Sequence, residues 1–305
     1  MKCKACGGKA TVNMRQHKLA LCSPHYLAWV PQQVARAIKK YWMFGPDERV
    51  LVAVSGGKDS LSLWDILHNL GYQADGLYLG LGIDEEIGYS DESQRLSQKF
   101  ADERGLKLHV VDIEKEYGAS IPVLAERSRR GHGRPCAVCG VAKRHEMNRI
   151  ARDMGYDVLA TGHNLDDEVA VLFANTLSWS ADLLRRQEPV LRESDGLARK
   201  VKPLCRFYEK EMAAYALLRN IEYVYEECPF SVGSTSIYYK ELLNRLENER
   251  PGAKLAFYVK FLEAKKKGLF TPATEKDFVL TECPKCGQPT SGDGLCTFCK
   301  IMGKV

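Results

Sequence analysis

The chain has 305 residues, 45% of them hydrophobic, and its 44 Lys plus Arg stand against 39 Asp plus Glu for a net charge of +5. That is enough apolar material for one large core plus smaller modules and excludes the disordered classes, while so modest a charge does not by itself announce a nucleic-acid binder. No run approaches the length needed to cross a bilayer, and the chain opens on Cys3 and Lys4 instead of a basic segment followed by an apolar one. A cytoplasmic protein without membrane association is expected.

Eleven cysteines in such a chain argue for reduced thiolates used as metal ligands, since cytosolic disulfides are uncommon. Cys3-x-x-Cys6 and Cys22-x-x-His25 flank a stretch opened by Gly7 and Gly8, the knuckle-and-return spacing of a tetrahedral zinc site. Four protein ligands leave no open coordination position, so this ion staples a small module over residues 1–30 and does not activate water.

Val50, Leu51, Val52 and Val54 form the short continuous aliphatic run of an interior parallel strand. Leu61, Leu63, Trp64, Ile66, Leu67 and Leu70 then recur at helical spacing, with Gly71 at the stop. Between them lies Ser55-Gly56-Gly57-Lys58-Asp59-Ser60. Two glycines let the backbone approach a ligand and aim amide N–H groups at it, and the following helix adds partial positive charge, so the natural guest is a phosphate. Adjacent glycines exclude the Gly-x-x-x-x-Gly-Lys-Ser/Thr loop, and the dinucleotide fingerprint is absent. A plain glycine-rich βα turn is the competing reading.

Further along, Gly76–Ile83 reads as a second strand, Glu92–Arg104 as an amphipathic helix, Leu106–Ile113 as a third strand and Asp157–His163 as a fourth that ends in a tight turn at Gly162. Strands alternating with helices predict an α/β fold, a doubly wound parallel sheet with its ligands outside the carboxyl ends of the strands. Both Ser55–Ser60 and Gly162–Glu168 fall on that edge. Asp166, Asp167 and Glu168 open the helix ending at Leu177. Capping explains acidic residues there, but beside a phosphate loop a carboxylate is also what Mg²⁺ needs, and Asp167 is the choice.

Pro135-Cys136-Ala-Val-Cys139-Gly140 has no second pair nearby; the other middle cysteines are Cys228, before Pro229, and Cys205. The residues alone leave iron–sulfur cluster, zinc and redox dithiol open for Cys136, Cys139 and Cys228. Cys205 reads as a small buried hydrophobe. Lys143 is either a cation for an α-phosphate or an exposed helical lysine. Basic residues cluster at Arg127, Arg129, Arg130, His132 and Arg134, at Arg185, Arg186, Arg192, Arg199, Lys200 and Lys202, and at Lys265, Lys266 and Lys267; each is a phosphate-contacting patch or a solvated face. At the end of the chain, Cys283-x-x-Cys286 and Cys296-x-x-Cys299, with Gly287, Gly292 and Gly294 as turn residues, predict a second closed zinc site over residues 271–305.

Ser-Gly-Gly-x-Asp-Ser after a strand resembles the PP-loop of the N-type ATP pyrophosphatases, which adenylate an oxygen and release pyrophosphate. Together with Cys136-x-x-Cys139, Lys143-Arg144, Thr161-Gly-His-Asn-Leu-Asp-Asp-Glu168, Cys228-Pro and the terminal zinc motifs, it makes the whole chain resemble the TtcA/TtuA family of tRNA thiolases, and within it the TtuA branch. The resemblance implies a PP-loop ATP pyrophosphatase domain over residues 31–270, flanked by the two zinc modules. It implies that Cys136, Cys139 and Cys228 hold a [4Fe–4S] cluster with one iron open, and that Lys143 and Asp167 act near ATP with Mg²⁺. The loop Ser55–Ser60, the backbone at Ala53 and the turn at Gly162 would hold the nucleotide. The implied reaction is ATP-dependent adenylation of the C2 oxygen of a T-loop (5-methyl)uridine, then its replacement by sulfur from the cluster. The implied partners are tRNA and a ubiquitin-like thiocarboxylated sulfur carrier, with room left for a homodimer. A wobble-uridine thiolase of the same family is one alternative. A zinc-ribbon tRNA adaptor with an inactive nucleotide site is another, against which intact Lys58, Asp59, Ser60 and Asp167 speak.

Overall fold

The computed structural model describes residues 1–83, 88–128, 131, 135–194, 196–231, 233–270, 280–291 and 294–303. In chain order, β1 (Val12–Met14) and β2 (Leu19–Leu21) pair as an antiparallel hairpin and lead into α1 (Ser23–Tyr41). Then come β3 (Val50–Val54), α2 (Lys58–Asn69), β4 (Ala74–Gly80), α3 (Tyr89–Arg104) and β5 (Leu108–Asp112). After α4 (Ile113–Tyr117), α5 (Ile121–Arg127) and α6 (Pro135–Asp153) the chain returns to the sheet as β6 (Val158–Thr161), followed by α7 (Leu165–Leu177) and α8 (Ala181–Arg186). β7 (Val190–Leu191), β8 (Arg199–Val201), α9 (Glu209–Leu218), α10 (Thr235–Glu249) and α11 (Ala253–Lys266) complete the body, and β9 (Thr281–Glu282), β10 (Pro289–Thr290) and α12 (Thr297–Met302) the C-terminal module.

The main sheet runs β5-β4-β3-β6-β8-β7, parallel throughout except for β7, which pairs antiparallel with β8. The sheet is thus doubly wound, as its sequence pattern predicts, with one antiparallel edge added. The return through the Ser194–Leu197 bridge is too short for a parallel crossover, so β7 and β8 form a hairpin. Winding runs from β3 to β4 and β5 on one side and resumes at β6 on the other, so the switch in direction falls between β3 and β6.

Period-two alternation in β3 divides the interior. Val50, Val52 and Val54 face a core that includes Trp64 and Leu67 of α2, Tyr26, Val30 and Val34 of α1, and Val169 of α7. Leu51 faces the other core, with Leu77 and Leu79 of β4, Ile121 of α5, and Val138, Ala142 and Ile150 of α6. Trp64 is fully buried, its indole N–H donating to Ala74 O at 2.9 Å. α1 runs unbroken through residue 30, where a module boundary is expected, because one face of it is core from Tyr26 to Ile38. The helix after the loop ends as its glycine predicts: Gly71 takes φ 83° and its N–H donates to His68 O at 2.9 Å.

Gly76 is where β4 touches α2, and a Cβ there would lie 2.5 Å from the Trp64 ring. Gly76→Ala is expected to cost about 1–3 kcal/mol by overpacking, seen as a lower denaturant midpoint at unchanged m-value.

Candidate active site

The loop between β3 and α2 closes on Ser60. Ser60 Oγ accepts from the Ser55 amide at 3.1 Å and donates to Gly57 O at 3.0 Å. Gly56 has φ 74°, and a Cβ on it would stand 2.7 Å from Ser93 O of α3. Its carbonyl accepts from the Val224 amide at 3.0 Å, which straps the segment leading to Cys228 across the loop. Ser55 stays exposed, Ala53 and Gly57 are half-buried and Gly56 is buried. On the neighbouring strand Gly162 approaches so closely that a Cβ would lie 2.9 Å from Ser60 N.

That approach brings the first turn of α7 against the loop. Asn164 caps the helix through Oδ1, which accepts from the Asp166 and Asp167 amides at 2.8 and 3.2 Å, while its Nδ2 donates to Asp59 Oδ1 at 3.2 Å. Asp167 Oδ2 completes a capping box on the Asn164 amide at 3.0 Å. Its other oxygen, Oδ1, takes Lys240 Nζ of α10 at 2.5 Å. Asp167 is thus a cap through one oxygen and an ion-pair partner through the other. Glu209, the first residue of α9, pairs with Lys58 at 2.7 Å and stands 3.6 Å from Lys240. Asp166 is buried and does not face the loop: it accepts from the Glu209 amide at 3.0 Å and pairs with buried Lys254 at 2.6 Å. Glu168 is turned inward on Lys202 at 2.7 Å and Tyr258 at 3.2 Å.

Asp59 carries the cost of this crowding. Burial pushes its carboxyl up to about 6, Lys58 and the Asn164 amide oppose the shift, and the charges of Asp167 and Glu209 add to it. Burial also works against the charge on Asp167, but the Lys240 ammonium prevails and holds that carboxyl below its ordinary value.

Cys136 and Cys139 lie one turn apart at the start of α6, Cys136 exposed and Cys139 half-buried. Cys228 lies just before a short 3₁₀ turn, Pro229–Ser231, which packs on α6; Cys136 Sγ is 3.4 Å from Phe230 O. Burial raises the Cys228 thiol, the charges of Cys139 and Cys136 push the same way, and Lys143 opposes them. Lys143 is therefore a half-buried neighbour of the thiols, and no contact ties it to the loop among the described residues. Tyr89 at the start of α3 feels both Cys228 and Cys139, one helical turn before Ser93, which abuts Gly56. The three thiols are not drawn within 4.8 Å of one another, as a single ion would require. Cys205 is fully buried, its thiol pushed up to about 12 by burial, and is out of reach of the triad's chemistry.

The terminal sets do converge. Cys3, Cys6, Cys22 and His25, and Cys283, Cys286, Cys296 and Cys299, each bring all four ligand atoms within 4.8 Å. Cys6 and Cys22 Sγ are 3.9 Å apart, Cys286 and Cys296 Sγ 3.8 Å, and Cys3 Sγ lies 3.8 Å from His25 Nδ1. A Zn–S bond of about 2.3 Å sets a tetrahedral edge of about 3.8 Å, which these spacings match, while Cys22 Sγ stands closer to His25 Nδ1, at 3.0 Å. Amide N–H groups, that of Cys22 foremost, draw the Cys3 thiol down to about 6. Burial resists the same change at Cys283, but the amides of Cys296, Lys285 and Cys286 bring it to about 6. Of the basic residues, Arg185, Arg186, Arg192, Arg199, Lys265 and Lys266 line one cleft of about 1340 Å³. Arg129, Arg130, His132 and Arg134 lie outside the described residues, as does Gly292 of the second zinc loop.

Residues 48–226 match the model of the tRNA methyl transferase HUP domain, and residues 2–27 that of the 2-thiouridine synthetase TtuA N-terminal LIM domain. The tRNA-5-methyluridine(54) 2-sulfurtransferase of Thermus thermophilus is 50% identical over all of this chain and 92% of its own length. The enzyme of the same name from Thermotoga maritima is 41% identical over all of this chain and 97% of its own. The chain belongs to the TtuA family of tRNA 2-sulfurtransferases. The solved U34-tRNA thiolase NcsA of Methanococcus maripaludis, described with its [4Fe–4S] cluster, shares the fold at a TM-score of 0.80 and 22% identity, covering all of this chain and 96% of that one. Among the described residues of this sulfurtransferase, no helix is long and apolar enough to cross a membrane.

Three residues of the edge escape a reading of the sequence: Glu209, Lys240 and Asn164. Asn164 carries a signal, an Asn three residues before an acidic one at a helix start. Glu209 and Lys240 carry none, because their partners are remote in the chain.

In this sulfurtransferase a carboxyl raised from 3.8 to about 6 means that the folded state holds the Asp59 proton more tightly than the unfolded chain. The associated stability is present below about pH 4 and lost as pH rises through about 6. Asp59→Asn is therefore expected to stabilise the nucleotide-free protein by on the order of 1–2 kcal/mol at pH 8 and by little at pH 4. Denaturant titrations at the two pH values check it; equal effects at both would show that Asp59 titrates normally.

Proposed function

We propose that this chain is an ATP-dependent tRNA thiolase acting on the C2 position of a T-loop uridine. The carrying observation is the Val224–Gly56 hydrogen bond at 3.0 Å: it ties the segment bearing Cys228 to the Ser55–Ser60 loop, so phosphate-binding and thiol-bearing elements share one rim. The T-loop position rests on the names of the relatives at 50% and 41% identity.

In this reading the amides of the loop and Lys58 hold the phosphates of ATP, and Asp59 and Asp167 are the carboxylates that would share a Mg²⁺ ion. The uridine C2 oxygen attacks the α-phosphorus and pyrophosphate leaves. Sulfur then forms a bond to C2, and the C2–O bond breaks to release AMP, the oxygen departing on the phosphate. Cys136, Cys139 and Cys228 would hold a [4Fe–4S] cluster, whose open iron supplies a Lewis-acidic position for sulfur. Lys143, whose charge acts on Cys228, would supply a cation on the thiol side of the rim, to oppose negative charge that builds up in the displacement. The sulfur comes from a ubiquitin-like carrier with a C-terminal thiocarboxylate, as the resemblance implies. The cleft lined by Arg185, Arg186, Arg192, Lys265 and Lys266 offers phosphate contacts for tRNA, in which case affinity falls steeply with salt.

Cys136→Ala, Cys139→Ala and Cys228→Ala are each expected to abolish thiolation of the T-loop uridine while the protein keeps two zinc ions per chain. Mass spectrometry of tRNA nucleosides and metal counting on anaerobically purified protein read both. An active triple-alanine variant refutes the cluster mechanism, and thiolation in the anticodon instead of the T loop refutes the substrate reading. Asp59→Ala should suppress pyrophosphate release before it lowers iron content; the reverse order means that the loop has another role.

A further inference from the structure

Two lysines reach the acidic side of the loop from outside α7, and they differ in what they can do. Lys254 of α11 is 3% exposed and spans Asp166 and Asn244, both at 2.6 Å. No ligand reaches it, so it fastens α11 to α7. Lys240 of α10 is also ion-paired to this helix, to Asp167 at 2.5 Å with Glu209 at 3.6 Å, but its side chain is 25% exposed and lies on the open rim.

Holding α10 in place does not require Lys240. Leu243 of α10 is buried in the main core, and Tyr239 meets Phe173 of α7 edge-on at 5.4 Å between centroids. Lys58 has two carboxylates for its single ammonium, Glu209 at 2.7 Å and Asp59 at 3.2 Å. Lys240 depends mainly on the one oxygen of Asp167 that the capping box leaves free. A divalent cation arriving with a triphosphate competes for that same oxygen, and the displaced ammonium then lies at the rim beside the new negative charge.

We propose that Lys240 is a phosphate-binding residue of the nucleotide site, paired with Asp167 while the site is empty and transferred to the β- and γ-phosphates when Mg–ATP binds. The assignment rests on the nucleotide reading above and adds a second lysine, on the helix that follows Cys228, to the one in the loop. In the empty state Lys240 also shields the carboxylates, which lowers their appetite for free Mg²⁺.

Calorimetric titrations of the whole protein with Mg–ATP, with AMP and with Mg²⁺ alone test it. Lys240→Met is expected to weaken Mg–ATP binding by at least about tenfold, the loss of one charge-assisted contact, to leave AMP affinity unchanged and to tighten binding of Mg²⁺ alone. Lys240→Arg should recover most of the Mg–ATP affinity. A purely structural lysine predicts otherwise: AMP, Mg–ATP and Mg²⁺ affinities would fall together with the melting temperature, and that result overturns the proposal. So does Mg–ATP binding equal to that of the parent. If Lys240→Met fails to fold, Lys240→Gln takes its place with the same criteria, and a Gln variant that also fails to fold makes the lysine structural. A parent protein that binds no Mg–ATP overturns the nucleotide reading itself, an outcome distinct from loss of the Lys240 assignment alone.

Discussion

The reactive edge depends on how closely two turns approach. A Cβ on Gly162 would sit 2.9 Å from Ser60 N, so the turn after β6 and the loop after β3 touch through backbone with nothing between them. This is possible because β3 and β6 are adjacent parallel strands at the point where the winding reverses, with their carboxyl ends level. The contact delivers Asn164 to Asp59 and Asp167 to the rim. A side chain at residue 162 would push α7 away from the loop and separate the two carboxylates. The architecture of the sheet therefore sets the spacing of the chemistry, and the glycine is its tolerance.

At the same rim electrostatics work against folding. Asp59, Asp167 and Glu209 face Lys58 and Lys240, so carboxylates outnumber ammonium groups, and Asp59, the worst placed, is pushed up to about 6. A few residues away the same helix holds an ion pair of the opposite kind, Asp166–Lys254, closed off from water and satisfied by further hydrogen bonds. The buried pair fixes geometry and cannot exchange partners. The rim set is half-buried, with more carboxylates than ammonium groups to balance them.

The terminal cysteine modules brace the two halves of this rim separately. The N-terminal module reaches α9, with Tyr26 OH donating to Glu211 O at 2.6 Å and Gln16 to Glu211 Oε1 at 2.7 Å, two residues from Glu209. The C-terminal module grips α6: Phe298 stacks on His145 at 3.7 Å, and Gln288 donates to His145 O at 3.0 Å and accepts from Asn148 at 2.9 Å. α6 begins with Cys136 and Cys139 and carries Lys143. Each half of the rim thus stands on a helix whose other contacts include a knuckle of four converging ligand atoms, which makes the terminal modules part of the positioning of the rim as well as of the ends.

What could be read from the residues follows from how local each signal is. The loop, its strand and its helix are contiguous, so Val50–Gly71 is legible almost residue by residue, and both zinc quartets announce themselves by paired spacing. β7 as an antiparallel edge and α10 and α11 as the wall of the site carry no such mark, because they are decided by what they pack against. Asp167 shows the boundary most clearly. Its position in a first turn points equally to a cap and to a cation ligand, and the sequence offers no way to choose. The structure shows the cap, with one carboxylate oxygen accepting from the Asn164 amide, and it turns the other toward Lys240. Capping through one oxygen is what aims the other at the ammonium.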